Sequence, residues 1–141
     1  MAIFISTFVN AMDVKNRVVV PKDFRAMLSD YSAFVAFRSH KLNAVDCFTM
    51  KKMEELSEKI DRDYDGFSLD RESLESAVFA DAVMLKFDKD GRVVIPDLLL
   101  QHANISNQIA FVGKGSTFQI WEPEAFKNHQ ETVRKKLLEK K

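Results

Sequence analysis

The chain has 141 residues, with 21 Lys+Arg balanced by 21 Asp+Glu and 46% hydrophobic residues. That balance excludes a disordered polyelectrolyte and a simple polycation that coats nucleic acid or membrane, and it suits one compact domain or two small subdomains sharing a core. No run of about 18 apolar residues predicts a membrane span, the single Cys47 cannot make an internal disulfide, and His40, His102 and His129 are too scattered for a metal cluster. The opening MAIFISTFVNAMD has no basic leader and reaches an acid early. The expected location is a reducing cytoplasm.

The zero total hides a segregation. Residues 1–52 sum to +4, residues 53–97 to −7 and residues 98–141 to +3. A solvated helix face is the plain explanation of any one charge run; a one-sided binding surface or charge-complementary self-assembly is the alternative.

Residues 12–21 read MDVKNRVVVP. Asp13 and Arg17 are four apart, which places them across a hairpin from one another, and Asn16 tolerates the left-handed region the loop needs. The run Val18–Val20 is apolar on both faces, as expected of a buried strand. Pro21 ends that strand and suits the first position of a helix over 22–29. Apolar runs at 33–37 and 45–50 predict two strands, with Cys47 and Met50 in the core. A charged amphipathic helix follows, and the polar stretch 61–66 with Gly66 reads as a linker.

Ser68 or Asp70 would cap a helix running to about Ala80, with Leu69, Leu74, Ala77 and Val78 on its apolar side. A strand over Ala82–Phe87 enters a second motif, FDKDGRVVIP at 87–96. Asp88 matches Asp13, Arg92 matches Arg17 and Pro96 matches Pro21, all 75 positions on. Asp90-Gly91 is the stronger hairpin signal of the two. A helix over 97–103 ends on Asn104 as a left-handed cap. Strands at 109–113 and 117–121 follow, with Trp121 as a packing anchor. The last helix aligns Phe126, Val133 and Leu137 on one face, leaves His129, like His102, partly exposed, and frays into solvated lysines.

The chain thus reads as two copies of one unit, 1–62 and 76–141, joined by 63–75 as linker and start of a connecting helix. The expected fold is α+β: a β-rich, pseudo-two-fold duplicated barrel or intertwined sheet with flanking helices.

Three functions compete for the Asp-x-x-x-Arg tips. In the first, an ion pair pins each turn and does nothing more, worth about 0.2–1 kcal/mol. A catalytic carboxylate pair has no nucleophile, glycine-rich loop or metal spacing beside it, so no enzyme and no cofactor is expected. A ribbon or its loop can enter the major groove, where arginine reads guanine while lysine holds phosphate. Recurrence of the motif favours this third reading: Lys15 and Arg17 on one tip, and Lys89 and Arg92 on the other, with Asp13 and Asp88 orienting the guanidinium groups.

At these residues the sequence resembles the MraZ family of bacterial regulators, whose halves are similar to AbrB/SpoVT-type swapped-hairpin units. The resemblance covers essentially the whole chain. It implies a nucleoid-associated transcriptional regulator of the division and cell-wall gene cluster. It also implies binding to double-stranded DNA at direct repeats upstream of that cluster, and a ring-shaped homo-oligomer, octamer or dodecamer. Carried over by motif, Asp13, Lys15, Asn16 and Arg17 form the first tip, and Asp88, Lys89, Asp90, Gly91 and Arg92 the second. Lys22 would add a phosphate contact near the first tip, where its counterpart Asp97 would not. Asn16 stands where the family usually has glycine, Val14 where a polar residue is common, and Asp90 adds a negative charge beside Arg92. The first tip is therefore expected to be the stronger binder. The acidic segment 53–97 would meet a basic flank of the next subunit in the ring. Rival readings are an AbrB-type antitoxin and a structural ring protein of the division machinery without DNA affinity.

Overall fold

The computed structural model describes residues 2–140. It is α+β and rich in antiparallel sheet. Strands β1 (Thr7–Ala11), β2 (Arg17–Val19), β3 (Ala33–Arg38), β4 (Val45–Phe48), β5 (Val83–Lys86), β6 (Arg92–Val94), β7 (Gln108–Gly113) and β8 (Phe118–Trp121) alternate with helices. These are α1 (Lys22–Met27), α2 (Met50–Asp63), α3 (Leu69–Glu75), α4 (Asp97–His102) and α5 (Pro123–Glu139), with a π-helical turn, Ser76–Ala80, continuing α3.

Six strands form one sheet in the order β1-β7-β8-β4-β3-β5, and β2 pairs with β6 in a separate two-stranded ribbon. The expected hairpins form only at their tips. Asp13 N–H donates to Arg17 O at 2.9 Å and Asp88 N–H to Arg92 O at 2.9 Å, and there the strands part. β1 goes to β7, β5 goes to β3, and β2 and β6 meet each other. Each half therefore completes the other's sheet, which is what exchanged hairpins mean. Val18 lies opposite Val93, and Asp46 opposite Gln119, so the pseudo-two-fold axis passes through both pairs.

The sheet has two covered faces. Phe34, Phe111, Phe118 and Ile120 face inward and meet Phe4, Phe24, Val18, Val20, Val93 and Ile95 in the main core. Phe24 on α1 stands edge-on to Phe4, Phe8 and Phe111, with centroids 5.3–6.3 Å apart. Truncating such a ring to alanine costs about 3–5 kcal/mol. On the outer face α2 packs over Val35 and Phe37, and α5 packs through Phe126 over Ala110, Val112 and Trp121. Trp121 is the expected anchor: it is buried, its Nε1–H donates to Gln119 Oε1 at 2.9 Å, and His129 lies against its ring.

Several expectations shift. β2 and β6 are not buried on both faces: Val18 and Val93 are inside, whereas Val19 is 41% and Val94 54% exposed. Ribbon alternation overrides the uniform apolar run, because only one face meets the core. Pro21 and Pro96 sit at the N-cap, one position before the helix begins. Helix α2 runs to Asp63, so the connection is shorter than 61–66 implied; Thr49 caps its start and Met50 opens it instead of ending a strand. Ser68 caps α3 through Arg71 N–H at 3.0 Å. Leu69 is 86% exposed and does not join the apolar side that Val78 buries, because it precedes the segment that reaches the sheet. Arg71 instead fastens α3 to α2, its Nη2 donating to Asp61 at 2.5 Å. Asn104 has φ 55°, the expected left-handed cap. Lys140 caps α5 and is exposed, and Lys141 lies outside the described residues.

Candidate nucleic-acid interface

Each tip is a four-residue turn closed by its aspartate. At the first, Asp13 Oδ1 accepts the N–H groups of Lys15 and Arg17, both at 2.9 Å, and Oδ2 accepts Arg17 Nε–H at 2.6 Å. At the second, Asp88 Oδ1 accepts from Asp90 and Arg92 N–H at 2.9 Å, and Oδ2 from Arg92 Nε–H at 2.8 Å. Asn16 and Gly91 occupy the same turn position with φ 60° and 75°. The turn demands positive φ at its fourth residue so that the next one, Arg17 or Arg92, doubles back to accept the aspartate's N–H; glycine and asparagine meet that demand at least cost.

These bonds set the carboxyl chemistry. The Arg17 backbone N–H, helped by its side chain and by Lys15 N–H, holds Asp13 at a pKa of about 2, below the ordinary 3.8. Asp88 is lowered for the same reason, first by the Arg92 backbone N–H. Both carboxylates are ionised at neutral pH and cannot serve as proton donors there. Each fixes its arginine through Nε. Among the described residues this leaves the Nη groups of Arg17 without a hydrogen-bond partner, while Arg92 Nη2 approaches Asp90 Oδ2 at 3.4 Å.

The ribbon places both arginines on one surface. In the register Arg17↔Val94 and Val19↔Arg92, these four side chains alternate away from buried Val18 and Val93. They form one outward face with the arginines on its diagonal. The ladder continues past the strands, Val20 N–H donating to Gly91 O at 3.1 Å and Ile95 N–H to Asn16 O at 2.9 Å. Asn10 Nδ2 adds a 2.7 Å bond to Val19 O, which ties the ribbon to the sheet edge.

The antiparallel register corrects one expectation. The chain leaving β2 arrives at the second tip, and the chain leaving β6 arrives at the first. Asp97 therefore stands at the first tip, where its Oδ1 accepts Asn16 Nδ2–H at 3.3 Å. Lys22 does not belong there: its helix α1 follows β2 to the second tip. Arg25 of α1 lies so close to Gly91 that a Cβ on that residue would meet Nη1 at 2.5 Å. Arg25 is the member of the surface that sequence reasoning missed; only the pairing of β2 with β6 brings it there. Lys15 and Lys89 are exposed on their tips, as is Val14 at 98%.

Elsewhere the chemistry is sparse. Burial raises the Cys47 thiol well above its ordinary pKa. Among the described residues no group of three His, Cys, Asp or Glu could hold a metal, and no helix is long and apolar enough to cross a membrane.

Fold and surface together define a class: a β-rich duplicated domain with exchanged hairpins, presenting two aspartate-fastened arginines from one ribbon. Residues 78–141 match the family model described as "MraZ protein, putative antitoxin-like". Over the full chain the sequence is similar to curated relatives. It is 38% identical over 137 residues to the transcriptional regulator MraZ of Rickettsia akari (strain Hartford), covering 96% of this chain and 91% of that protein. It is 38% identical over 144 residues to the one from Rickettsia bellii (strain OSU 85-389), covering 100% and 95%. A third, from Rickettsia canadensis (strain McKiel), is 36% identical over 143 residues, covering 100% and 95%. The chain belongs to the MraZ family.

Proposed function

We propose that this protein is a sequence-specific DNA-binding transcriptional regulator of the division and cell-wall gene cluster. It acts in the cytoplasm at the nucleoid, as a ring of identical subunits on direct repeats upstream of its own genes. Residues 1–62 and 76–141 are its two repeats, with 63–75 between them. The naming of full-length relatives as transcriptional regulators supports the class of function.

One observation carries the mechanism: the shared outward face of the ribbon. A two-stranded ribbon fits the major groove, and arginine with free Nη groups reads guanine O6 and N7. Asp13 and Asp88 reduce the freedom that Arg17 and Arg92 lose on binding, so less of the contact energy is spent on ordering. Lys15 and Lys89 hold phosphates beside them, and Asn16 shapes the first turn. Because the chain is neutral overall, one subunit gains little from non-specific attraction. Several subunits on successive repeats compensate through effective concentration.

The test is an Arg17→Ala, Arg92→Ala double variant, titrated against DNA upstream of the chain's own gene and a scrambled control at two salt concentrations. Lost operator binding with unchanged melting and unchanged molar mass is expected. Unchanged affinity with unchanged salt dependence would refute the ribbon's role.

A further inference from the structure

The apolar stripe of α5 outruns the body that should cover it. Phe126 is buried and Val133 half-buried, yet Leu137, one turn beyond Val133 on the same stripe, is 60% exposed and Leu138 66% exposed. Residues three and four apart share a helix face, so Val133 and Leu137 continue the Phe126 stripe, and Leu138 flanks its exposed end. Cations surround it: Arg134, Lys135, Lys136 and Lys140 against Glu139.

A complementary surface lies at the other end of the sheet. A groove of about 340 Å³ opens between α2, the π-helical turn and the edge strand β5. Val35, Met50, Met53, Phe79 and Met84 give it an apolar lining, with Met84 50% exposed. Among the described residues the one charged residue lining it is Glu54, and Glu58 follows one turn along α2. Unbranched methionines suit a surface that must mould to an inserted side chain.

We propose that the C-terminal end of α5 from one copy of this chain docks in the α2–β5 groove of the next. Leu137 and Leu138 enter the methionine-lined floor, and the basic collar meets Glu54 and Glu58. Self-occupation is disfavoured by topology: α5 packs on β7, while the groove is built on β3 and β5, with β8 and β4 between. A contact between two different surfaces at opposite ends of the sheet is heterologous, and repetition of such a contact closes into a ring or runs on as a filament. The mode is a helix laid in an apolar groove, with the adjacent Leu137 and Leu138 as its anchors. This inference rests on the ring reading above and names the surfaces that build it.

The experiment uses two surface cysteines, Met84→Cys and Leu137→Cys, since buried Cys47 is silent. Light scattering first gives the molar mass of the full-length chain, and a short bifunctional maleimide is then added. The double variant is expected to give a ladder of covalent multimers, a mixture of the two single variants only dimers, and each single variant alone no product. Cross-linking by Leu137→Cys alone would mean helix-to-helix contact between equivalent surfaces and would overturn the proposal. So would a full-size assembly in which the double variant fails to cross-link; the ring reading would then survive without this interface. A wild-type monomer at working concentration would remove both.

Discussion

The two hairpin tips share a backbone and differ in their neighbours. Both aspartates accept the same two N–H groups and the same Nε–H, at distances within 0.2 Å of each other. Counted along the chain, the first tip looks the more basic, since Asp90 burdens only the second. Counted in space, that advantage is gone. Asp97 comes to the first tip, and Arg25 to the second, because an antiparallel ribbon delivers the end of each strand to the opposite turn. The electrostatic character of a tip therefore belongs to both halves together. The two tips should bind DNA with similar strength, not as a strong and a weak partner.

The largest expected effects come from the arginines taken singly. Arg17→Ala and Arg92→Ala should each cost about 1–3 kcal/mol of operator binding, by similar amounts. A loss confined to Arg17 in parallel titrations would restore the ranking by motif charge. Stability should separate the tips more than affinity does. Gly91→Ala places a Cβ at positive φ and against Arg25, and should lower stability by about 1–2 kcal/mol. Asn16→Gly, which relieves a left-handed asparagine but loses a long bond to Asp97, should change it less. Thermal unfolding of the two variants checks this; equal destabilisation would mean that the turn conformation is not what distinguishes them.

Smaller still are the borrowed charges. Arg25→Gln should weaken binding and lower the salt slope by up to about 1, whereas Asp97→Asn should strengthen binding through the first tip. If neither moves the salt dependence, these neighbours lie outside the DNA footprint. The smallest effect is that of pH. Asp13 has a folded pKa below its unfolded value, so its stabilisation is fully present above the ordinary carboxylate pKa of 3.8 and is lost as pH falls through about 2. Asp88 is shifted in the same direction. Asp13→Asn should flatten the stability profile between those two pH values, and Asp88→Asn should do the same. A profile that stays steep in the double variant would place the acid sensitivity elsewhere, with Asp81 beside Arg38 the next group lowered.

Much of this surface was legible in the sequence because its determinants are local. An aspartate four residues before an arginine, with asparagine or glycine between, is what the turn needs, and both φ angles follow. Prolines after the apolar runs marked where strands stop and helices start, although as N-caps and not as first helical residues. The outward turn of Val19 and Val94 was not legible, because a run of three β-branched residues looks alike on a strand buried on one face or two. Arg25 gave no local signal at all.

What the sequence determined alone was the repeat, the turn chemistry and the four residues that fasten each other, since these depend on contacts within five positions. Tertiary structure decided which strand pairs with which, and through that which charges flank each tip. The physical reason is that a hairpin's second strand can satisfy its ladder equally well on a neighbour's strand. Burial of Val18 and Val93 on the shared core, at the pseudo-two-fold axis, selects the exchanged pairing.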